Sequence, residues 1–335
     1  MVEARPRLLG DIGGTTARWA WQSGRGLPLQ HYREYPCALF ESVQAVIERY
    51  LLDEGLPCPW EAAFGIATPV VGDAVQMTNH HWTFSIRDLT HALGLNRCLV
   101  LNDFAAVAAA LPTLKPADVR CVGGNAAVPF MPNPELGAPM AVLGPGTGLG
   151  VASLVYTRNN QALVVAGEGG HVTLAGANAR EHAVIDWLQK NFGHASAERA
   201  LSGPGLVNLY RAVCAVDGKP AADFEPMQVT ARAVPGHRSD QHALCKEALQ
   251  LFCAFLGSTA GNLALTVGAR GGVYIAGGVV PRLGLGFDTL AFRERFEAKG
   301  RFRGYLERIP TFVITAPASA LHGAANALDA SDPPG

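Results

Sequence analysis

Short apolar runs alternate along the chain with amphipathic stretches, and glycine clusters interrupt the apolar runs at three places. The first run, R-L-L-G-D-I-G-G-T-T-A-R-W-A-W (Arg7 to Trp21), predicts a strand, a tight Gly turn and a second strand. β-Branched and aromatic residues resume after the glycines, with alternation through Arg18, Trp19, Ala20 and Trp21. A helix is predicted around Phe40 to Glu54, because Val43, Val46, Ile47, Tyr50 and Leu51 recur at three and four. Glu61 to Val70 reads as a buried strand stopped by Pro69. Arg97 to Leu101 is a further short strand running into Asn102-Asp103, after which Phe104 to Leu111 forms an Ala-rich helix closed by Pro112.

Six prolines (112, 116, 129, 132, 134 and 139) then crowd one stretch, and a first crossing between domains is expected near its start. Beyond it, P-M-A-V-L-G-P-G-T-G-L-G-V-A-S-L-V-Y (Pro139 to Tyr156) repeats the opening theme of strand, Gly turn and strand, about 130 residues later. A third Gly turn lies in G-G-V-Y-I-A-G-G-V-V-P (Gly271 to Pro281). Ala243 to Val267 is helical in pattern, with a break at Gly261 left open, and a last helix at Ala318 to Leu328 is expected to pack back on the first domain. The echo of the opening hairpin predicts two related α/β halves facing one another, each offering a backbone loop to a shared ligand. The expected boundaries are 1–112 plus 317–335 for a small α/β domain and 113–316 for a large one.

Composition narrows the picture. A chain of 335 residues, 49% apolar and only 16% charged, suits two domains with large cores. With 27 basic against 28 acidic residues there is no surplus to neutralise a nucleic-acid backbone, so no nucleic-acid partner is expected. Seven scattered cysteines, none in C-x-x-C spacing, read as a reduced, cytoplasmic protein. No apolar run looks long enough to span a membrane, and no signal segment opens the sequence, so no membrane association is expected.

The glycine turns carry the first chemistry. A phosphate needs several donors at close range, and backbone N–H groups in a Gly turn supply them without side-chain bulk. Gly13 and Gly14 permit close approach, and Thr15 and Thr16 add hydroxyls. Asp11 beside the turn would repel phosphate unless Mg²⁺ lay between, which makes it a candidate metal-side ligand, acting through water. An ordinary Asp in a hairpin is the alternative. Gly144, Gly146 and Gly150 mimic part of a dinucleotide fingerprint, but such a loop opens a helix, and here Val151 to Tyr156 is strand-like. No Lys-Ser or Lys-Thr follows, so this is no Walker A loop. A second phosphate clamp, with Thr147 as donor, fits better.

Asn102 and Asp103 lie where an apolar strand ends and a helix begins, the edge that faces the ligand crevice in open α/β sheets. Asp103 there could accept a hydroxyl proton, with Asn102 bonding a neighbouring hydroxyl. Taken singly, Asp103 as a helix cap is the simpler reading. E-G-G-H brings Glu168 and His171 around two glycines, able to bond vicinal hydroxyls; two such ligands without a Cys cluster do not make a closed zinc site. Glu198, before a Gly-Pro-Gly turn, is in isolation a solvated helix residue.

Together these motifs resemble the bacterial glucokinases through nearly the whole chain. They are G-D-I-G-G-T, M-T-N-H-H-W-x-F-S (Met77 to Ser85), L-N-D-F, G-x-G-T-G-L-G-V-A, G-E-G-G-H-V, S-A-E-R-x-L-S-G-P-G-L-V-N-L-Y-R and G-G-V-Y-I-A-G-G-V-V-P-R. Each motif is weak to moderate, but their order and number are specific. The resemblance implies an actin-like ATPase (ribonuclease-H-like) fold, two α/β domains with an interdomain active-site cleft, acting on glucose as a Mg²⁺-dependent homodimer. It implies ATP held by Gly10, Asp11, Ile12, Gly13, Gly14 and Thr15 in one loop and Gly144, Gly146, Thr147 and Gly148 in the other, with Gly277 and Gly278 near the adenosine. It further implies glucose held by Asn102, Asp103, Glu168, His171 and Glu198, with Asp103 as general base on the 6-hydroxyl. The chain departs from the pattern at Thr16, where Asn is expected, and at Pro145, where Ala is expected. It lacks the zinc-binding Cys cluster and N-terminal DNA-binding helices of the related repressor–kinases, and so resembles the zinc-free branch.

Overall fold

A computed structural model describes residues 5–78, 80–123, 137–233 and 241–331. Of the crowded prolines, Pro129, Pro132 and Pro134 lie outside the described residues. The chain divides into two compact units, one of Met1–Leu114, Tyr156–Ala166 and Ala316–Gly335, the other of Lys115–Val155 and Gly167–Thr315.

In the first unit, β1 (Arg7–Ile12) and β2 (Thr16–Gln22) form an antiparallel hairpin, extended by β3 (Gln30–Pro36). Helix α1 (Val43–Glu54) follows. It begins later than the apolar spacing suggests because the Ser42 hydroxyl accepts from the Ala45 N–H and caps it; Cys37–Leu39 upstream form a 3₁₀ turn. Strand β4 (Glu61–Ile66) pairs parallel with β1 and ends at Ile66, before the residues leading to Pro69. A small hairpin, β5 (Ala74–Gln76) with β6 (Thr83–Ser85), precedes α2 (Ile86–Ala92). Strand β7 (Arg97–Asn102) pairs parallel with β4 and runs directly into α3 (Asp103–Ala110). The sheet order is β3-β2-β1-β4-β7. In the motif Met77 to Ser85, Met77 and Trp82 are buried, and the Trp82 indole donates to the Phe40 carbonyl at 3.0 Å.

The second sheet repeats this plan with one more edge strand. After β8 (Val119–Cys121), β9 (Met140–Pro145) and β10 (Leu149–Tyr156) form the antiparallel hairpin, and β11 (Ala162–Gly167) is the outermost strand. Helices α4 (Ala179–Phe192), α5 (Gly203–Val216), α6 (Pro226–Ala233) and α7 (His242–Val267) come next. Strand β12 (Val273–Ile275) then pairs parallel with β9, as β4 does with β1. Helices α8 (Val279–Leu283), α9 (Thr289–Glu297) and α10 (Arg303–Leu306) lead to β13 (Thr311–Ile314), giving the order β11-β10-β9-β12-β13-β8. The chain closes with α11 (Ser319–Ala330) back in the first unit.

Two expectations about α7 are corrected. It is unbroken at Gly261, because that glycine and Gly257 serve packing: a Cβ on either would overlap the Phe296 or Phe292 carbonyl of α9. At 26 residues it is also long and apolar enough to cross a membrane, contrary to the sequence expectation. Its apolar character answers to the core instead, since Leu244, Phe252, Phe255 and Leu256 are buried in the second unit.

Candidate active site

Both phosphate-loop candidates are the turns of the two equivalent hairpins. In the first, the Gly13 N–H donates to the Thr16 carbonyl at 2.9 Å, and the Cys37 N–H donates to the Thr15 carbonyl at 2.9 Å. The turn is pinned through its carbonyls, and the N–H groups of Gly14 and Thr15 have no main-chain acceptor among the described residues. Donors held this way form a concavity suited to an anion. Gly10 and Ile12 lie inside β1 and are buried. Gly10 is glycine for packing, since a Cβ there would come within 2.7 Å of Phe64 and about as close to the Trp19 ring. Thr16 has joined β2.

Asp11 faces Arg18 directly across the hairpin, with 3.1 Å between carboxylate and guanidinium. Burial pushes the Asp11 carboxyl up, against the opposing pull of Arg18. Arg18 also donates to Glu34 at 3.0 Å. The single partner singled out in the sequence was Asp11; Arg18 was missed, although a three-residue turn places positions 11 and 18 opposite each other. Among the described residues no group of three or more His, Cys, Asp or Glu could hold a metal. One largely buried carboxylate beside a phosphate turn therefore suits Mg²⁺ carried mainly by phosphate oxygens and water.

The second turn is built alike. The Gly146 N–H donates to the Gly148 carbonyl at 2.8 Å, and the Gly203 N–H donates to the Gly146 carbonyl at 2.8 Å. The N–H groups of Thr147 and Gly148 have no main-chain acceptor among the described residues. Gly144 is inside β9. Gly277, at φ +77°, sits against this strand end, where a Cβ would overlap the Pro145 carbonyl. Gly278 follows at the start of α8, and the Arg282 guanidinium lies 3.6–3.7 Å from the position of its absent Cβ.

Asn102 and Asp103 occur at the carboxyl end of β7. The capping role falls to Asn102, not Asp103: the Asn102 Oδ1 accepts from the Phe104 and Ala105 N–H groups at 3.0 and 3.2 Å. Its Nδ2 donates toward the Thr68 carbonyl at 3.4 Å. Asp103 is the first residue of α3, and its Oδ1 accepts from the Phe104 N–H at 2.9 Å. Gly65 of β4 makes this arrangement fit, since a Cβ there would press on the Asp103 Cα at 3.2 Å and on Ala106 at 3.0 Å.

Glu168, His171 and Glu198 are gathered in the second unit. Glu168 and His171 are exposed on one turn, closed by the His171 N–H donating to the Glu168 carbonyl at 3.0 Å. The turn rests on β10: a Cβ on Gly170 would overlap the Leu149 carbonyl, and one on Gly169 would come within 2.9 Å of Val151. A bridge between Thr173 and Ser196, with the Ala197 N–H donating to Val172 at 2.8 Å, draws Glu198 to the same place. Glu198 is not a solvated helix residue: its Oε2 accepts from the Leu149 N–H at 2.8 Å.

The glucokinase family model matches residues 8–331. A glucokinase of Aromatoleum aromaticum is 52% identical over 328 residues, covering 97% of this chain and 95% of the relative. One of Chromobacterium violaceum is 48% identical over 326 residues, covering 97% and 90%. The crystal structure of a glucokinase from an Antarctic psychrotroph, 34% identical, superposes with a TM-score of 0.86 over 98% of this chain and 99% of that one. With its repeated hairpin sheets this is the α/β, two-domain, actin-like ATPase fold. A match across nearly the full length, at this identity, means that the chain belongs to the glucokinase family.

Proposed function

We propose that this protein transfers the terminal phosphoryl group of ATP to the 6-hydroxyl of glucose. The observation that carries the reading is that the chain holds two anion-suited turns, each at the head of an equivalent hairpin, a carboxylate at a strand-to-helix edge, and Glu168, His171 and Glu198 gathered on turns that rest against β10. An actin-like ATPase without a sugar substrate has no use for that set.

Asp103 accepts the proton of the attacking hydroxyl, and Asn102, Glu168, His171 and Glu198 orient the sugar. The N–H groups of Gly14, Thr15, Thr147 and Gly148 bind phosphate oxygens and stabilise charge on the transferring group, while Gly277 and Gly278 lie along the nucleoside. Asp11, oriented by Arg18, would hold the hydration shell of a Mg²⁺ ion, which would supply charge neutralisation to the phosphates. The seven free cysteines support a reducing, cytoplasmic setting, and the balanced charge supports the absence of a nucleic-acid partner. The burial of α7 in a core supports the absence of a membrane partner. The family resemblance supports a homodimer feeding glycolysis.

The test is ADP release from ATP–Mg²⁺ with a panel of glucose, mannose, fructose and N-acetylmannosamine. Glucose is expected to give the highest kcat/KM by a wide margin. A flat response, or ADP release independent of sugar, would overturn the assignment.

A further inference from the structure

The segment that carries Glu198 grips the second phosphate turn at both ends. At one end the Glu198 Oε2 accepts the Leu149 N–H at 2.8 Å. At the other the Gly203 N–H donates to the Gly146 carbonyl at 2.8 Å. Between these two points lie Thr147 and Gly148, whose N–H groups have no main-chain acceptor among the described residues. The grip is close, because a Cβ on Gly148 would overlap the same Glu198 oxygen. It is also braced from behind: the Ser202 hydroxyl donates to the Glu198 carbonyl at 2.9 Å and accepts from the Gly205 N–H at 2.9 Å.

From this geometry we infer that Glu198 is a positioning residue for the nucleotide, in addition to its sugar contact. Its carboxylate sets the aim of the Thr147 and Gly148 N–H groups by holding Leu149. One oxygen serves the turn, and the carboxylate's other oxygen serves a hydroxyl. A negative group placed beside a phosphate turn weakens anion binding by repulsion, so it belongs there only if its acceptor role matters. The inference relies on the kinase reading for what the turn holds, and its test separates the two.

The probe is the non-hydrolysable analogue AMP-PNP with Mg²⁺, titrated calorimetrically into sugar-free protein. Glu198→Gln removes the charge and keeps an oxygen that can accept from Leu149. Glu198→Ala removes both. Comparing these two variants cancels the charge effect and leaves the bond to the turn, so Glu198→Ala is expected to bind AMP-PNP about three- to tenfold more weakly than Glu198→Gln. Amide hydrogen exchange at Leu149 gives a second readout. The amide is expected to be protected in the parent and in Glu198→Gln, and to exchange faster in Glu198→Ala. It should also exchange faster in Glu198→Asp, whose carboxylate is one methylene too short. Thermal melting checks that each variant is folded, and the Asp variant carries the exchange test if the Ala variant is not. Equal AMP-PNP affinity in the Ala and Gln variants, or unchanged exchange at Leu149, would overturn the inference. Glucose titration of Glu198→Gln is scored apart: unchanged glucose affinity removes the sugar role of Glu198 and leaves the turn-holding role to the nucleotide arm.

Discussion

At the scale of single residues, the division of labour between Asn102 and Asp103 is the informative detail. Both residue types cap helices well, and by type alone Asp103 could be spent on that task. Asn102 takes it, accepting the Phe104 and Ala105 N–H groups, and Asp103, the first helical residue at the end of β7, shares the Phe104 N–H through its Oδ1. Replacing Asp103 by Asn keeps shape and polarity but removes the proton acceptor. The expected outcome is a normally folded protein whose kcat for glucose falls on the order of 10²-fold or more, read in a coupled assay alongside a melting curve. Near-parent turnover would remove Asp103 from the base role. Asn102→Ala, by contrast, should cost stability of about 1 kcal/mol through the lost cap, visible in urea unfolding.

At the scale of elements, glycines inside helices explain how α3 and α11 meet. A Cβ on Gly323 of α11 would overlap the Ala106 carbonyl of α3 and come within 3.1 Å of the Ala110 N. The Asn326 amide adds a bond to the Ala109 carbonyl at 3.0 Å. Helix propensity alone favours Ala over Gly by about 1 kcal/mol. Overpacking is the larger effect here, so Gly323→Ala is expected to destabilise by about 1–3 kcal/mol. Gly304 in α10 has open space around its Cβ position, and Gly304→Ala is expected to be neutral or stabilising by up to about 1 kcal/mol. Urea midpoints of the two variants, measured together, check the contrast in sign.

At the scale of the whole molecule, stability should depend on pH through buried carboxylates. Glu181 of α4 is the clearest case. Burial pushes its carboxyl up, but Arg295 of α9, the Ala177 N–H and Asn178 together hold it below the ordinary value. A depressed carboxyl contributes stability above its unfolded value of about 4.3, and that contribution is lost as pH falls through the lower folded value. Asp11 has the opposite sign: its raised carboxyl favours the folded state below the ordinary Asp range and loses that contribution as pH rises through the folded value. Glu181→Gln leaves the half-buried Arg295 without its charge partner, and should destabilise near pH 7 by at most about 3–5 kcal/mol, the figure for a fully buried pair. The gap between parent and variant should shrink toward pH 3, as protonation removes the same charge from the parent. A gap that stays constant with pH would show that the Glu181 charge is not what matters.

Much of this fold is legible in one sequence because it is local. The strand–turn–strand units at Arg7 to Trp21 and Pro139 to Tyr156 declare themselves through short apolar runs on either side of glycines at the turn, and β10 after the second turn is what excludes a dinucleotide loop. Family membership is legible for the same reason: each motif is a short contiguous run whose residues are fixed by one local geometry. Partnerships across long sequence separations were not legible. Gly261 looked like a helix breaker, and its packing against Phe296 is set by α9, 35 positions away. Glu198 looked solvated, because nothing nearby in sequence reveals that Leu149 donates to it across 49 positions. The sequence reading saw no run of membrane-spanning length, yet α7 is a single helix of that length and apolar content, and its burial in the core is what accounts for it. The sequence by itself determined the two hairpins with their glycine turns, the strand-to-helix step at Asn102-Asp103, the long helix α7 and the family. Which side chains meet, which glycines are there for another helix, and which carboxylate holds which N–H were decided only in the tertiary structure, since those energies belong to pairs that local order does not name.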